Sequence, residues 1–525
     1  MIESVEHVRG IKAPYNASVR FVDENVAKGN GSKEAIICGE EILTYQEVSD
    51  LMNKFGNALK NINVEEENRI LVATYDSPEF VTAFFGSLKI GAVPIPVNTM
   101  MQPHDYEYFL NHSRAKVFVV HEEIWEKVKE YKHRFLFLKH VIVIGENESN
   151  KTDVIDYHSF IENASKTLKE AHTIAEDTAF WLYSSGSTGN PKGVIHRQQS
   201  MEAAFENYAK NILNIHENDR TFSASKLFFA YGLGNGMYFP FAAGGTTILL
   251  KERPTPAKVF EVIEEKKPTI FFGVPTLYGA MMRYAEEIGR PLDLSSIRVC
   301  VSAGEALPAS YAKKWKEMFG LEILDGIGST EALHIFLSNR MNEVQPGSTG
   351  KVVPGYEAKV INEEGKQLPP NEIGDLVIKG ESITSGYWCN LSENHQKFQG
   401  EWMKTGDKYY QDEKGYFWYC GRSDDMLKVG GIWVSPIEIE TSLLQREDIE
   451  EVAVIGEKNK ENLVYPKAYI VLREKEKASE ELKETLKLYV KQNLAPYKYP
   501  REIEFIDDLP KTATGKIQRF KLKTN

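Results

Sequence analysis

Apolar and polar positions along this chain alternate with two periods. The segment "NRILVATYD" (68–76) is a nearly continuous apolar run, the pattern of a strand buried on both faces. It runs into "SPEFVTAFFGSLKIGA" (77–92), where Ser77, Pro78 and Glu79 are helix-start signals. "VPIPVN" (93–98) returns to a strand pattern. Strand–helix–strand units build parallel sheets. The unit recurs as "TTILL" (246–250), a helix over 256–266 and "PTIFFGVP" (268–275). It recurs again as "IRVCVSAG" (297–304), a helix over 308–319 and "EILDGIG" (322–328). These segments predict a large α/β region of parallel and mixed sheets with ligand loops at the strand ends.

The pattern changes past residue 350. "KVVPGYEAKVI" (351–361), "GDLVIKG" (374–380) and "GYFWYCG" (415–421) predict short antiparallel strands, a small β-rich subdomain. A charged stretch, "GRSDDMLKVGG" (421–431), interrupts them. Beyond it come a helix in "SPIEIETSLLQ" (435–445), strands in "EEVAVIGE" (450–457) and "PKAYIVLRE" (466–474), a charged helix over 478–493 and a last strand at 502–506. This βαββαβ-like set of about 100 residues is enough for a small α+β domain. The expected division is 1–423 and 424–525, with the linker near 424–428.

Length and charge sharpen the picture. A chain of 525 residues predicts two or more domains. With 63 Lys and Arg against 75 Asp and Glu, the formal charge is −12. That balance argues against nucleic acid or an anionic membrane as the main partner, and leaves room for a small anionic ligand held by a local cluster of donors. Cys38, Cys300, Cys389 and Cys420 are far apart in sequence and form no CxxC pair, as expected of free thiols in a reducing compartment. The N-terminal "MIESVEHVRG" lacks the apolar stretch of a signal peptide, and no apolar run approaches the ~18 residues of a membrane span. The expected location is the cytoplasm.

The densest candidate chemistry follows the strand pattern "TAFWLYSS" (178–185), which enters "GSTGNPKG" (186–193). Glycines let the backbone approach a ligand closely, hydroxyls add donors, and Lys192 adds charge, so such a loop can wrap phosphate oxygens. It is not a Walker A loop, which needs glycine before the lysine where Pro191 stands. Two readings stay open on these residues alone: a phosphate loop of another kind, or a solvated turn.

"YSSGSTGNPKGVIH" (183–196) closely resembles the phosphate loop of the AMP-forming acyl- and aryl-CoA ligases, the adenylate-forming superfamily. "GSTEALHIF" (328–336) resembles that family's glycine-x-threonine-glutamate motif. "KTGD" (404–407), "GRSDDMLKVGG" (421–431) and "PKTATGKIQR" (510–519) resemble its ribose, hinge and C-terminal lysine motifs. These five ordered motifs span nearly the whole chain. Within the family, "KLFFAYGLGNG" (226–236) and "GIGSTEALHIFLSN" (326–339) are most similar to benzoate-CoA ligases and their relatives.

The resemblance implies ATP, Mg²⁺ and coenzyme A as reactants and cofactors, and a small aromatic carboxylate as substrate. It implies a mobile C-terminal domain that rotates between two half-reactions. Ser184, Ser185, Gly186, Ser187, Thr188, Gly189 and Lys192 are expected on the β- and γ-phosphates, Thr330 at the α-phosphate and Glu331 on Mg²⁺. Lys516 is expected as the main cation of the first step, since a long stem lets one compact charge reach phosphate and carboxylate together. Asp407 and Arg422 are expected at the ribose. Gly304, Glu305 and Ala306 are expected to border adenine with Asp325, Gly326 and Ile327, and Gly328 and Ser329 belong to the same nucleotide-binding run. Many relatives carry tyrosine where Ile327 stands, so adenine stacking there is weaker or differently made.

Phe229, Ala230, Tyr231, Gly304, Gly328, His334 and Ile335 are the implied acyl pocket, with Phe229 as an aromatic gate. Core packing is the alternative for Phe229, Tyr231 and His334. His334 follows Glu331 by about one helical turn. Asp424 and Lys428 are hinge candidates, Gly430 and Gly431 would let the pantetheine arm pass, and Trp433 either stacks on the CoA adenine or packs. Three other readings remain: an acyl-carrier protein as acceptor, a short or medium aliphatic acid as substrate, and a catalytically retired scaffold. Nothing in the sequence supports light-emitting oxidation.

Overall fold

The structure is a computed structural model that describes residues 13–145, 154–184, 190–423, 425–429, 432–459, 463–474, 478–495, 498–511 and 517–522. The first predicted unit forms as strand Arg69–Ala73, helix Pro78–Lys89 and strand Val93–Pro96. Its strands pair in parallel, Ile70 opposite Pro94. Ser77 occupies the helix N-cap but its side chain makes no capping bond, so Pro78, whose ring fixes φ, sets the start. Three further parallel strands, Val117–His121, His140–Ile144 and Ile155–Asp156, complete a five-stranded sheet. Ile70 and Val72 enter the main core while Leu71 and Ala73 enter a second core with Phe118 and Trp125. Burial on both faces is why this run is apolar throughout.

The largest sheet has nine strands. Its middle runs Ile323–Gly328, Val299–Ser302, Ile270–Gly273, Arg220–Ser223, Thr246–Leu249, Glu34–Cys38, all parallel. Antiparallel strands close both edges. The unit predicted over 246–275 is present, but Arg220–Ser223 lies between its two strands. Ile270 and Phe272 face the main core, and Phe271 faces a third core with Phe222, Tyr278 and Trp315. A three-stranded antiparallel sheet of Thr178–Ser184, Lys192–Arg197 and Gly386–Tyr387 sits beside these. The β-rich segment forms its own antiparallel sheet, with Trp402–Gln411 between Gly374–Gly380 and Phe417–Arg422.

A smaller C-terminal unit packs helices Pro436–Leu443 and Glu480–Asn493 on strands Ile449–Lys458, Val464–Leu472 and Glu502–Phe505. The first two strands are antiparallel and the last is parallel to its neighbour. The charged stretch at 421–431 differs from the plain interruption expected. Leu427–Val429 pairs with Ile432–Val434 as a hairpin, Leu427 opposite Val434. Leu427, Val429 and Val434 enter the C-terminal core with Ile439 and Val454. The cause is alternating apolar residues on both sides of a Gly-Gly pair, a hairpin signal.

Candidate active site

The site is assembled from strand ends and short loops. Antiparallel pairing sets Ser184 opposite Lys192 and so brings the two ends of the glycine-rich segment together. Ser185, Gly186, Ser187, Thr188 and Gly189 lie outside the described residues. His196, on the same strand as Lys192, is buried and 2.9 Å from the Thr330 carbonyl oxygen. A carbonyl only accepts, so Nε2 carries the hydrogen. Burial pulls the His196 pKa down to about 4, which keeps the ring neutral. Thr384 adds a second tie: its N–H donates to the Glu331 carbonyl at 2.7 Å and its hydroxyl to that of Ile195 at 2.5 Å.

Glu331 is buried. Burial alone would raise its pKa, but the Lys397 ammonium and the Tyr387 hydroxyl outweigh it and hold the carboxyl below its usual range. Tyr387 donates to Glu331 Oε1 at 2.8 Å. The helical spacing expected between Glu331 and His334 is not realised. Residues 329–334 form no helix, Leu333 has φ +67°, and the chain enters strand Ile335–Ser338, which pairs antiparallel with Ile323–Gly328. A left-handed residue and a competing strand ladder end any turn there.

Four residues that the sequence reading missed, Tyr387, Glu393, Asn394 and Lys397, tie these motifs together. Lys192 Nζ lies 2.6 Å from Glu393 Oε2 and 5.4 Å from the centroid of the Tyr387 ring. Glu393 belongs to the short helix Leu391–Lys397, capped by Asn390. Asn394 of this helix accepts from Tyr387 N at 2.8 Å and donates to Tyr387 O at 3.1 Å. Lys397 donates to the Thr405 carbonyl at 2.9 Å. Thr405 in turn accepts from Asp407 N at 3.1 Å. One short helix thus contacts the lysine of the glycine-rich loop, the partner of Glu331 and the strand of Asp407.

Asp407 and Arg422 face each other across adjacent strands, Arg422 Nη1 donating to Asp407 Oδ1 at 3.1 Å. Burial raises the Asp407 pKa, and Arg422 offsets part of that rise. Gly406 has φ +86°, and a Cβ there would sit 3.0 Å from Arg422 Nη2, so a side chain would crowd this pair. Asp325, Gly326, Ile327 and Gly328 end one central strand, beside the loop carrying Gly304, Glu305 and Ala306 that leaves strand Val299–Ser302. Burial pushes Asp325 well above the usual carboxylate range, and its Oδ1 has no hydrogen-bond partner. Ser329 Oγ accepts from Ala332 N at 3.2 Å. Ile327 packs partly buried against the main core.

Of the acyl-pocket candidates, Tyr231 is placed beside His334. Phe229 precedes the turn of helix Ala230–Leu233, its ring 4.5 Å from that of Phe228. Ala230 and Tyr231 pack partly buried against the main core, and Ile335 lies within it. Tyr231 OH reaches the carbonyls of Gly273 and Val301 at 3.3 Å each. The His334 ring lies 5.2, 5.7 and 4.4 Å from those of Tyr208, Tyr231 and Phe239. Its Nε2 is 3.1 Å from Asn235 Oδ1. Burial drops the His334 pKa to about 3, which keeps the ring neutral.

Lys516, Asp424, Gly430 and Gly431 lie outside the described residues. Lys428 and Trp433 are backbone partners in the hairpin, and the roles expected of their side chains lie outside what is described. Among the described residues no group of three or more His, Cys, Asp or Glu could hold a metal alone. One buried, ionised glutamate fits a Mg²⁺ that arrives with phosphate oxygens as its other ligands. Among the same residues no helix is long and apolar enough to cross a membrane.

The chain matches two family models: AMP-binding enzyme over residues 23–388 and AMP-binding enzyme C-terminal domain over residues 438–516. A benzoate–CoA ligase of Thauera aromatica is 46% identical over 98% of this chain and 97% of its own. A 4-hydroxybenzoate–CoA/benzoate–CoA ligase of Rhodopseudomonas palustris is 40% identical over 97% and 94%. Among solved structures, an anthranilate CoA ligase in complex with anthranoyl-AMP superposes with a TM-score of 0.91 at 41% identity, covering 98% of this chain and 97% of its own. A benzoate CoA ligase from Burkholderia xenovorans gives 0.87 at 43% identity, covering 97% and 100%.

Proposed function

The chain belongs to the AMP-binding enzymes, and on that premise we propose that it joins a benzoate-like aromatic carboxylate to coenzyme A at the expense of ATP. A carboxylate resists attack by a thiol because resonance and charge protect its carbon. In the first step a carboxylate oxygen attacks the α-phosphorus, the bond to pyrophosphate breaks, and acyl-AMP forms. In the second the thiol sulfur attacks the acyl carbon, AMP leaves, and the thiol proton passes to solvent.

The observation that carries this reading is that helix Leu391–Lys397 links Lys192 directly, Glu331 through Tyr387 and Asp407 through Thr405. Residues from three separate motifs meet there with the charges a nucleotide needs. Lys192 and the glycine-rich loop would hold the β- and γ-phosphates, Thr330 the α-phosphate, and Asp407 with Arg422 the ribose hydroxyls. The unpartnered Asp325 Oδ1 suits a donor such as the adenine amino group. Mg²⁺, held by Glu331, would neutralise charge on the departing pyrophosphate. Lys516 would approach the reacting carboxylate and α-phosphate.

Phe229, Ala230, Tyr231, His334 and Ile335 would line a slot suited to a flat ring. The two steps need different surfaces, so the unit after residue 423 would rotate about Asp424–Lys428, with Gly430, Gly431 and Trp433 along the thiol's path. The test is carboxylate-dependent exchange of pyrophosphate into ATP across a panel of benzoates and short aliphatic acids. It is followed by AMP release with free CoA or with a phosphopantetheinylated carrier protein. Exchange with benzoates and release with CoA is the expected result. Exchange only with aliphatic acids, or release only with the carrier, selects another substrate or acceptor, and no exchange at all would leave a scaffold.

A further inference from the structure

Phe229, the gate proposed for the acyl slot, ends a tight turn that leaves strand Arg220–Ser223. Its N–H donates to the Lys226 carbonyl at 3.0 Å and closes that turn. Two residues within the turn are held from elsewhere in the fold. Leu227 is buried, and its N–H donates to Asp76 Oδ1 at 3.0 Å. Asp76 is 3% exposed and lies just past strand Arg69–Ala73 of the five-stranded sheet. Lys226 Nζ donates to the carbonyls of Leu250, of Lys251 at 3.3 Å and of Glu252 at 2.8 Å, the residues that follow strand Thr246–Leu249. The same ammonium lies 3.7 Å from Asp76 Oδ2. Gly232, in the helix that follows the turn, approaches so closely that a Cβ there would sit 2.0 Å from the Lys226 carbonyl oxygen.

A buried charge pair adds little to stability, because both ions give up their water. What this one adds is a fixed turn two residues before Phe229. Resting on the function proposed above, we propose that Asp76 is a positioning residue for the carboxylate substrate, clamping the turn so that Phe229 stands at the entrance of the acyl slot. Without its carboxylate the Leu227 N–H is left buried and short of an acceptor. The turn then moves to satisfy it and carries Phe229 along. Asp76 acts through Leu227, and Lys226 supports the turn from its neighbouring residue.

The test is the KM for benzoate in pyrophosphate exchange. Asp76→Ala should raise it about tenfold, the effect of losing one hydrogen bond to a charged group, and leave the KM for ATP within about twofold. Asp76→Asn keeps an oxygen for the Leu227 N–H, and Lys226 keeps its three carbonyls. That variant should hold the benzoate KM within about threefold of the unaltered protein. Phe229→Ala should raise the same KM, and in its background Asp76→Ala should add nothing, since the placement of an absent ring cannot matter. Should Asp76→Ala fail to fold, Lys226→Met frees the same turn from its other support and is read against Phe229→Ala in the same way.

Effects at Asp76 and Phe229 that multiply, or equal rises in the KM for ATP and for benzoate, make Asp76 a general prop of the fold and overturn the inference. So does an unchanged benzoate KM in Asp76→Ala, or an Asp76→Asn as impaired as the alanine variant. Each of these leaves the ligase reading standing. A benzoate KM that Phe229→Ala leaves unchanged removes the gate, and the inference with it. An unaltered protein without benzoate-dependent exchange overturns the proposed function and this inference together.

Discussion

Tyr387 donates its phenol hydrogen to Glu331 Oε1 over 2.8 Å while the Lys192 ammonium lies 5.4 Å from the centroid of the same ring. One side chain therefore touches the carboxylate assigned to the metal and the cation assigned to the phosphates. Tyr387→Phe keeps the ring, and with it the main-chain bonds to Asn394, and deletes only the bond to the carboxylate. A hydrogen bond to a charged group contributes about 1.5–3 kcal/mol, so kcat/KM for ATP should fall roughly ten- to a hundredfold, with more Mg²⁺ needed for saturation. Pyrophosphate exchange measured against Mg²⁺ checks this, and unchanged constants in the Phe variant would remove Tyr387 from the site.

Asp407→Asn should separate stability from function. Burial holds the Asp407 pKa above its ordinary 3.8, with Arg422 offsetting only part of the rise. Burial thus disfavours ionisation in the fold relative to the unfolded chain, and stability falls as pH rises from 3.8 through the raised value. An amide of the same shape should leave the unfolding temperature at pH 7 equal or higher. It should raise KM for ATP about tenfold, because the diol loses a charged acceptor. Calorimetry beside ATP titration tests both halves, and a fall in thermal stability with no change in KM would make Asp407 purely structural.

The elements around the site differ in how far the sequence betrays them. Strands such as Arg69–Ala73 and Ile270–Gly273 were legible because burial on both faces leaves a continuous apolar run. Helix Pro256–Lys266 carries proline at its start and forms over the predicted positions. The spacing of Glu331 and His334 misled, since three residues fit a helical turn but Leu333 at φ +67° and the ladder to Ile323–Gly328 decide otherwise. Helix Leu391–Lys397 was missed because "LSENHQK" has no apolar stripe and its charges resemble a solvated loop. The signal available was Asn390 three residues before Glu393, an N-cap pattern. Local pattern reports burial well, but it does not report which distant motifs a polar helix will bridge.

A variant at Lys516, the cation proposed for the first step, should separate the two half-reactions. The first step joins two anions, whereas the second brings a thiol to a neutral mixed anhydride. A cation that follows the developing charge therefore matters most in the first. Lys516→Ala should lower adenylation by roughly a hundredfold or more and leave thioester formation from supplied acyl-AMP and CoA near the unaltered rate. Rapid-mix assays of each half-reaction make the comparison, and equal loss in both would assign Lys516 to the fold.

Beside Asp325 and Asp407, three buried groups make separable contributions to stability on the acid side. His196 and His334 have pKa values near 4 and 3 because burial disfavours their charged forms, against an ordinary 6.5. Unfolding frees them to take up protons, so their stabilisation is present above pH 6.5 and is lost on acidification by about 1.4 kcal/mol per pH unit for each ring. Asp76 acts in the opposite sense. It accepts from Leu227 N at 3.0 Å, lies 3.7 Å from Lys226 Nζ, and is buried enough to be raised from 3.8 to about 6. Its contribution is present below 3.8 and is lost as pH rises through 6. Between those limits Asp76 cancels about the slope of one histidine. Asp76→Asn should therefore steepen the loss of stability on acidification by about 1.4 kcal/mol per pH unit, and His334→Gln should flatten it by a similar amount. Denaturant unfolding at intervals from pH 4.5 to 7 measures both slopes. A slope that neither variant alters would mean that these groups exchange no protons on unfolding.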